Sequence, residues 1–226
     1  VLFDHEDHRW IWLGGDADTD LSDGVAANQY LIEHRGRSCL LDPGSVLDFA
    51  RSVANIARYT SSEDIDYLFY SHQDPDVSSS APMWASISRA KLLMPALWAR
   101  FVPHFGEFDQ SRVIAIPDEG ATFDLAGCEL QIIPAHFLHA PGNNLVYDPQ
   151  TRYLFSGDVG ANLPPQGTPL FIDDFQAHLP HIDGFHRRYM ACNAACRLLV
   201  DRLRRLEIDC ILPQHGSIYR GTAVPA

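Results

Sequence analysis

The chain has no apolar run approaching the roughly 18 residues of a membrane span and no charged-then-apolar leader, so neither membrane passage nor secretion is expected. Basic residues are scarce. With 17 Lys and Arg against 29 Asp and Glu, the net charge is −12, which repels a phosphate backbone and makes nucleic acid a poor partner. Cysteine is too sparse and scattered for a disulfide framework. Cys39, Cys128, Cys192, Cys196 and Cys210 are odd in number and mostly set among apolar residues, as expected for reduced thiols of a cytoplasmic protein. No repeat at a fixed period and no low-complexity linker interrupts the chain. DADTDLSDG (16–24) lacks the sixth-position Gly and twelfth-position Glu of a calcium loop, and reads as a solvated acidic turn. What remains is an ordinary composition. The 226 residues, 46% hydrophobic and 20% charged, suffice for one soluble globular domain over residues 1–226.

Strand patterns come first: RWIWLGG (9–15), NQYLIEH (28–34) and SCLLDPG (38–44) are each bounded by Gly, Asp or Pro and predict antiparallel strands. A helix is expected over 45–59, with Val46, Phe49, Val53 and Ile56 at helical spacing behind a Ser45 able to cap the first turn. The strand IDYLFYSH (65–72) follows, then strands and helices alternate: helix 81–90, strand 91–95, helix 97–101, strand 112–117. Strands 128–134, 144–148 and 152–158 come next. The segment 161–180, rich in Pro and aromatics, is expected to be an irregular loop over a site. One long helix is predicted over 185–206, with Tyr189, Cys192, Cys196, Leu199, Leu203 and Leu206 on one stripe, and DCILPQHG (209–216) closes as a strand.

Five fragments stand out: LLDPG (40–44), SHQDPDV (71–77), HAPGN (139–143), FSGD (155–158) and PQHG (213–216). Each follows an apolar run, and strand ends on one edge of an α/β layer converge. Within the second, His72, Asp74 and Asp76 alternate, and Pro75 stiffens the loop so that neighbouring side chains can diverge toward two metals. Three imidazoles and three carboxylates make a nitrogen and oxygen donor set suited to two hard cations.

These motifs resemble the metallo-β-lactamase superfamily, and within it the lactamase-like half of flavodiiron proteins and the related stand-alone oxygen-binding di-iron proteins. The family loop HxExDH followed by Ser-Gly-Ser appears here as HQDPDVSSS; HAP, SGD and PQHGSIYR match its later motifs, and the NQYLI and LLDPG strands match as well, so that nearly the whole chain is covered. The resemblance implies an α/β fold, the αββα four-layer sandwich. It also implies two iron ions (Fe2+/Fe3+) with a bridging oxo, hydroxo or peroxo group: one held by His72, Asp74 and His139, the other by Asp76 and His215, with Asp158 bridging. His139 is preferred over His136 because APGN and the interval to Asp158 match the family. Asp74 stands where the family has Glu, and Val77 where it has a His, which leaves the second ion with an open position. The zinc hydrolases of the superfamily place neutral His where this chain has Asp74 and Val77, so carboxylate charge favours iron.

The expected function is dioxygen or nitric oxide binding, as an oxygen sensor module or a donor-dependent oxidoreductase. A chain of this length has no room for a flavodoxin domain and no paired CxxC motifs for a rubredoxin, so an external electron donor, signalling domains or a homodimer are expected. The alternative is a metal-dependent hydrolase of phosphodiester, ester or lactam bonds using a bridging hydroxide. His5 and His8 are expected at the surface, Cys192 and Cys196 in a core or dimer contact, and Trp84 and Tyr219 in packing roles or lining the pocket.

Overall fold

The computed structural model describes residues 1–14, 26–101 and 104–224; the acidic turn expected at 16–24 lies outside them. Two seven-stranded sheets form the centre. The first contains β1 (Phe3–His5), β2 (His8–Trp12), β3 (Tyr30–His34), β4 (Arg37–Leu41), β5 (Ile65–Phe69), β6 (Lys91–Pro95) and β7 (Val113–Ile116) in that spatial order. Its strands are antiparallel up to β4 and parallel from β4 onward. The second holds β8 (Ala121–Leu125), β9 (Cys128–Pro134), β10 (Asn144–Asp148), β11 (Tyr153–Gly157), β12 (Phe171–Ile172), β13 (Cys210–Pro213) and β14 (Ile218–Arg220). Its order is β12-β14-β13-β11-β10-β9-β8, with β11 and β13 parallel.

Three stacked apolar clusters explain the layering. Between the sheets, Trp10, Tyr30, Ile32 and Phe69 of the first meet Leu130, Val146, Phe155 and Leu212 of the second. On the outer face of the first sheet, Leu31, Leu40, Leu68 and Leu92 pack against α1 (Phe49–Ile56) and α3 (Ala81–Ile87) through Ile56, Ala81 and Trp84. Beyond the second, Leu145, Tyr147 and Leu154 meet α7 (Asn193–Leu203) through Ala195 and Leu199. Both faces of each sheet are thus covered, which is why strands such as NLVYD are buried along their whole length. Each fully buried Leu or Ile contributes about 1.5–3 kcal/mol. The remaining helices are α2 (Pro75–Ser78), α4 (Ala96–Ala99), α5 (Phe175–His178) and α6 (Pro180–Tyr189).

Four expectations are corrected. The predicted 185–206 helix is two helices, α6 and α7, because Met190 and Cys192 are extended and the Ala191 amide donates to the Phe137 carbonyl instead of continuing a helix. The helix expected from Ser45 starts at Phe49; Ser45 builds a tight turn with Asp48 (Oγ to Oδ2 2.5 Å), and Val46 is exposed rather than on the buried stripe. The segment 161–180 holds β12 and α5 as well as loop. His8, expected at the surface, is fully buried, with Nε2 2.8 Å from Asp148 Oδ2 and Nδ1 3.1 Å from His34 Nδ1. The five cysteines are unpaired thiols, three of them buried.

Candidate metal centre

The proposed ligands follow strand ends or lie in the loops and the short helix beyond them. His72 comes three residues after β5 and Asp158 directly after β11, while His215 lies two residues after β13 and His139 in the β9–β10 loop. Parallel pairing of β11 with β13 aligns their carboxyl ends, and β9 runs the same way because β10 is antiparallel to both β9 and β11. The two sheets are tied at this edge by the Asn144 amide donating to the Ser71 carbonyl at 3.0 Å. Pro75 occupies the first turn of α2, where it needs no amide partner, so Asp74 stays extended and Asp76 turns into the helix.

The other five side chains gather around Asp158, which is 3% exposed. Its Oδ2 lies 3.1 Å from His139 Nε2 and 3.7 Å from His72 Nε2. Asp74 Oδ2 closes the same group, at 3.0 Å from His139 Nε2 and 3.7 Å from His72 Nε2. The other oxygen, Asp158 Oδ1, is 3.5 Å from His215 Nε2, which lies 3.3 Å from Asp76 Oδ2. One carboxylate therefore faces two separate donor groups, one with each oxygen. His136 is elsewhere, with its Nε2 2.8 Å from the Asp118 carbonyl. Val77 is fully buried in the outer cluster with Trp84 and provides no donor.

Partners behind the ring orient the imidazoles, as metal-ligating histidines require. His215 Nδ1 donates to the Ala26 carbonyl at 2.8 Å, which turns Nε2 toward the site. His72 Nδ1 donates to Ser71 Oγ at 2.8 Å, and Ser71 in turn donates to Asp42 Oδ2 at 2.6 Å. Asp42, from the LLDPG fragment, thus stands behind His72 and is not in the ring. Burial pushes its carboxyl up to about 7 despite His72 and Ser71.

Asn162 ties two ligand loops together. Its Nδ2 donates to the Gly160 carbonyl at 3.1 Å and the Ser217 carbonyl at 3.0 Å, and its Oδ1 accepts from the Ser217 amide at 2.8 Å. Gly216, at φ +83°, must be glycine here because a Cβ would overlap the Asn162 carbonyl. Gly157, at φ +53°, sits in the irregularity between β11 and β13, where a Cβ would press on Ser71 at 3.2 Å. From above, α6 leans on the site. Phe185 and Tyr189 pack edge-on to His139, at 6.4 and 5.4 Å between ring centroids, and His186 Nε2 accepts from the Gly160 amide at 3.0 Å. The sequence offered no signal for Asn162, and His186 reads from sequence as a surface or helix-start residue, whereas it lies in the last turn of α6 against the Gly160 amide.

Donor chemistry and geometry fit a pair of cations. His72 Nε2, in one donor group, and Asp158 Oδ1, in the other, are buried without a hydrogen-bond partner, a costly state unless each meets something positive. The facing carboxylates shift the imidazoles accordingly. His139 is raised to about 10 by Asp158 and then Asp74. Burial pulls His215 down, yet Asp76 and Asp158 hold it up at about 9. Asp74 is held low by His139 and His72. Asp158 is lowered too: burial raises it, but His139, His72 and His215 outweigh that.

A pH dependence follows. A raised imidazole stabilises the metal-free fold fully below its ordinary 6.5, and that contribution disappears as pH rises through about 9 to 10. A cation must displace those protons, so metal affinity is expected to increase from pH 6 toward about pH 9 with proton release on binding. Calorimetry in buffers of different ionisation enthalpy measures the release; affinity flat over that range would contradict it.

Two β-sheets enclosed by helical layers, with a His and Asp cluster at one sheet edge, define a protein of the metallo-β-lactamase fold. The chain matches the ODP family beta lactamase over residues 25–216, and it belongs to that family. It is 45% identical to the chemotaxis sensor ODP from T. denticola in its apo state, covering 100% of this chain and 89% of that one with a TM-score of 0.89. A peroxy diiron species of the chemotaxis sensor ODP gives 45% identity, 100% and 90% coverage and a TM-score of 0.88. The rubredoxin oxygen:oxidoreductase of Desulfovibrio gigas shares the fold at 19% identity, with 94% of this chain and 56% of that one covered and a TM-score of 0.82. Among curated relatives, diflavin flavoprotein A 1 of Synechocystis is 28% identical over 91% of this chain. The chain spans half or less of the curated relatives it matches, 50% and 36% of their lengths. Among the described residues no helix is long and apolar enough to cross a membrane.

Proposed function

We propose that this chain is a non-haem di-iron domain that binds dioxygen and serves as an oxygen-sensing module. The observation that carries it is the split environment of Asp158, whose two oxygens face different imidazole and carboxylate groups. In this reading His72, Asp74 and His139 hold one ion and Asp76 and His215 the other, with Asp158 shared. An iron pair supplies one-electron redox chemistry and an affinity for dioxygen or nitric oxide that no side chain has. The protein contributes the rest. Ser71 and the Ala26 carbonyl fix the imidazole tautomers, Asp74 and Asp76 offset the ionic charge, and Phe185 and Tyr189 lay an apolar wall beside His139. Sensing is favoured over rapid reduction because α6 touches both His139 and the Asp158 loop, so a change in ligand geometry reaches an outer helix directly. The sensor relative at 45% identity supports the same choice.

Metal analysis of anaerobically purified protein tests this. About two iron ions per chain are expected, with a visible absorption band appearing on exposure to air. Zinc in their place, with turnover of a chromogenic phosphodiester, would establish a hydrolase instead.

A further inference from the structure

Gln214 has no part in the ligand set, yet its side chain is completely buried beside it. Both backbone groups are held: the amide donates to the Gly157 carbonyl at 2.8 Å, and the carbonyl accepts from the Asn28 amide at 2.5 Å. From this fixed position Nε2 donates to Asp76 Oδ2 at 3.1 Å, the same oxygen that lies 3.3 Å from His215 Nε2. Its Oε1 is buried with no partner. The opposite amide orientation would set two acceptors against each other, so the donor end must face Asp76.

The two halves of the centre are unequal. Around Asp158 Oδ2 stand His72, His139 and Asp74, whereas Asp158 Oδ1 faces only His215 and Asp76 among the described ligands. Val77, where the resemblance places another His, is turned into the apolar core. Asp76 is also the looser carboxylate, with a side chain 37% exposed against 5% for Asp158. A half-exposed carboxylate on a one-turn helix has rotational freedom that a ligand cannot keep without cost.

We propose that Gln214 is the positioning residue of the second half-site: its amide pins Asp76 toward His215 and thereby sets how tightly the second ion is held. This rests on the dinuclear reading above. Removing an outer-shell partner costs about 10–100-fold in metal affinity, and here the loss falls on one ion only, because the side chain of Gln214 hydrogen-bonds Asp76 and not His72, His139 or Asp74.

Anaerobic ferrous titration of the full chain, followed by calorimetry, tests this on the wild type, Gln214→Leu and Gln214→His. Gln214→Leu is expected to leave the first binding step unchanged and weaken the second by about 10–100-fold. Gln214→His, whose ring can donate to Asp76, is expected to recover part of that loss. Misfolding would weaken both steps, so an equal loss in both overturns the proposal, as does a Gln214→Leu chain with two wild-type steps. Failure of Gln214→His to recover anything overturns the hydrogen-bond account. A wild type that takes a single ion overturns the dinuclear reading and this inference with it.

Discussion

An Asp158→Ala chain is expected to be purified without either iron ion while remaining folded. The carboxylate is 3% exposed and presents one oxygen to His139 and His72 and the other to His215. Each half-site would lose an anionic donor in a region where water cannot easily replace it, and iron content should fall from about two per chain toward zero. Folding should persist, because the side chain lies at the sheet edge and supports no part of the three apolar clusters. His136→Ala is the control: its Nε2 is engaged with the Asp118 carbonyl, so both ions should stay. Metal analysis with circular dichroism reads both. Two ions retained in Asp158→Ala would refute the bridging assignment.

The second large effect concerns stability and lies at the other end of β10. Asp148 is fully buried and accepts from His8 Nε2 at 2.8 Å, Trp10 Nε1 at 2.7 Å, Thr151 Oγ1 at 2.7 Å and the Gln150 amide at 2.9 Å. It therefore fastens β2 of one sheet to the end of β10 in the other. Asp148→Ala leaves these donors unpaired in the core and is expected to cost about 3–5 kcal/mol, lowering Tm by roughly 6–20 °C for a chain of this size. Burial opposes ionisation of Asp148, but His8, Trp10 and Thr151 win and hold its pKa below the ordinary 3.8. Its contribution is therefore present above that value and is lost as pH falls below it. Iron loading at neutral pH should be unaffected in the surviving folded fraction. A thermal midpoint within about 2 °C of wild type would show that the network is not what joins the sheets.

His8, Cys128 and Asp148 also have the composition of a cation site, with ligand atoms within 4.8 Å of one another. Asp148 is already saturated by donors, however, so the cluster is explained as a hydrogen-bonded staple. The contrast with His72 and Asp158 is instructive. There, His72 Nε2 and Asp158 Oδ1 are each buried without a hydrogen-bond partner.

Much of the candidate centre was legible because most of the proposed ligands sit in short fragments that follow an apolar strand and contain Pro or Gly. The β9, β10 and β6 strands were also plain, since CELQIIP, NLVYD and KLLMP are β-rich runs bounded by turns. Residues that work through distant partners were not. His8 sits in a charged stretch and meets Asp148 across 140 positions. Asn162 acts through backbone groups of a loop 55 positions away. The break between α6 and α7 is equally silent, because helical periodicity continues through it and only the Phe137 carbonyl draws the Ala191 amide away.

Sequence alone determined the donor types, the turn residues that follow each strand and the alternation of apolar runs, because these depend on neighbours a few positions apart. Tertiary structure alone decided that Asp158 faces two donor groups, that Asp42 stands behind His72 and not among the ligands, and that Val77 turns into the core. Those outcomes depend on how two sheets pack, and the packing energy is shared among residues far apart in the chain, so no short window of sequence contains it.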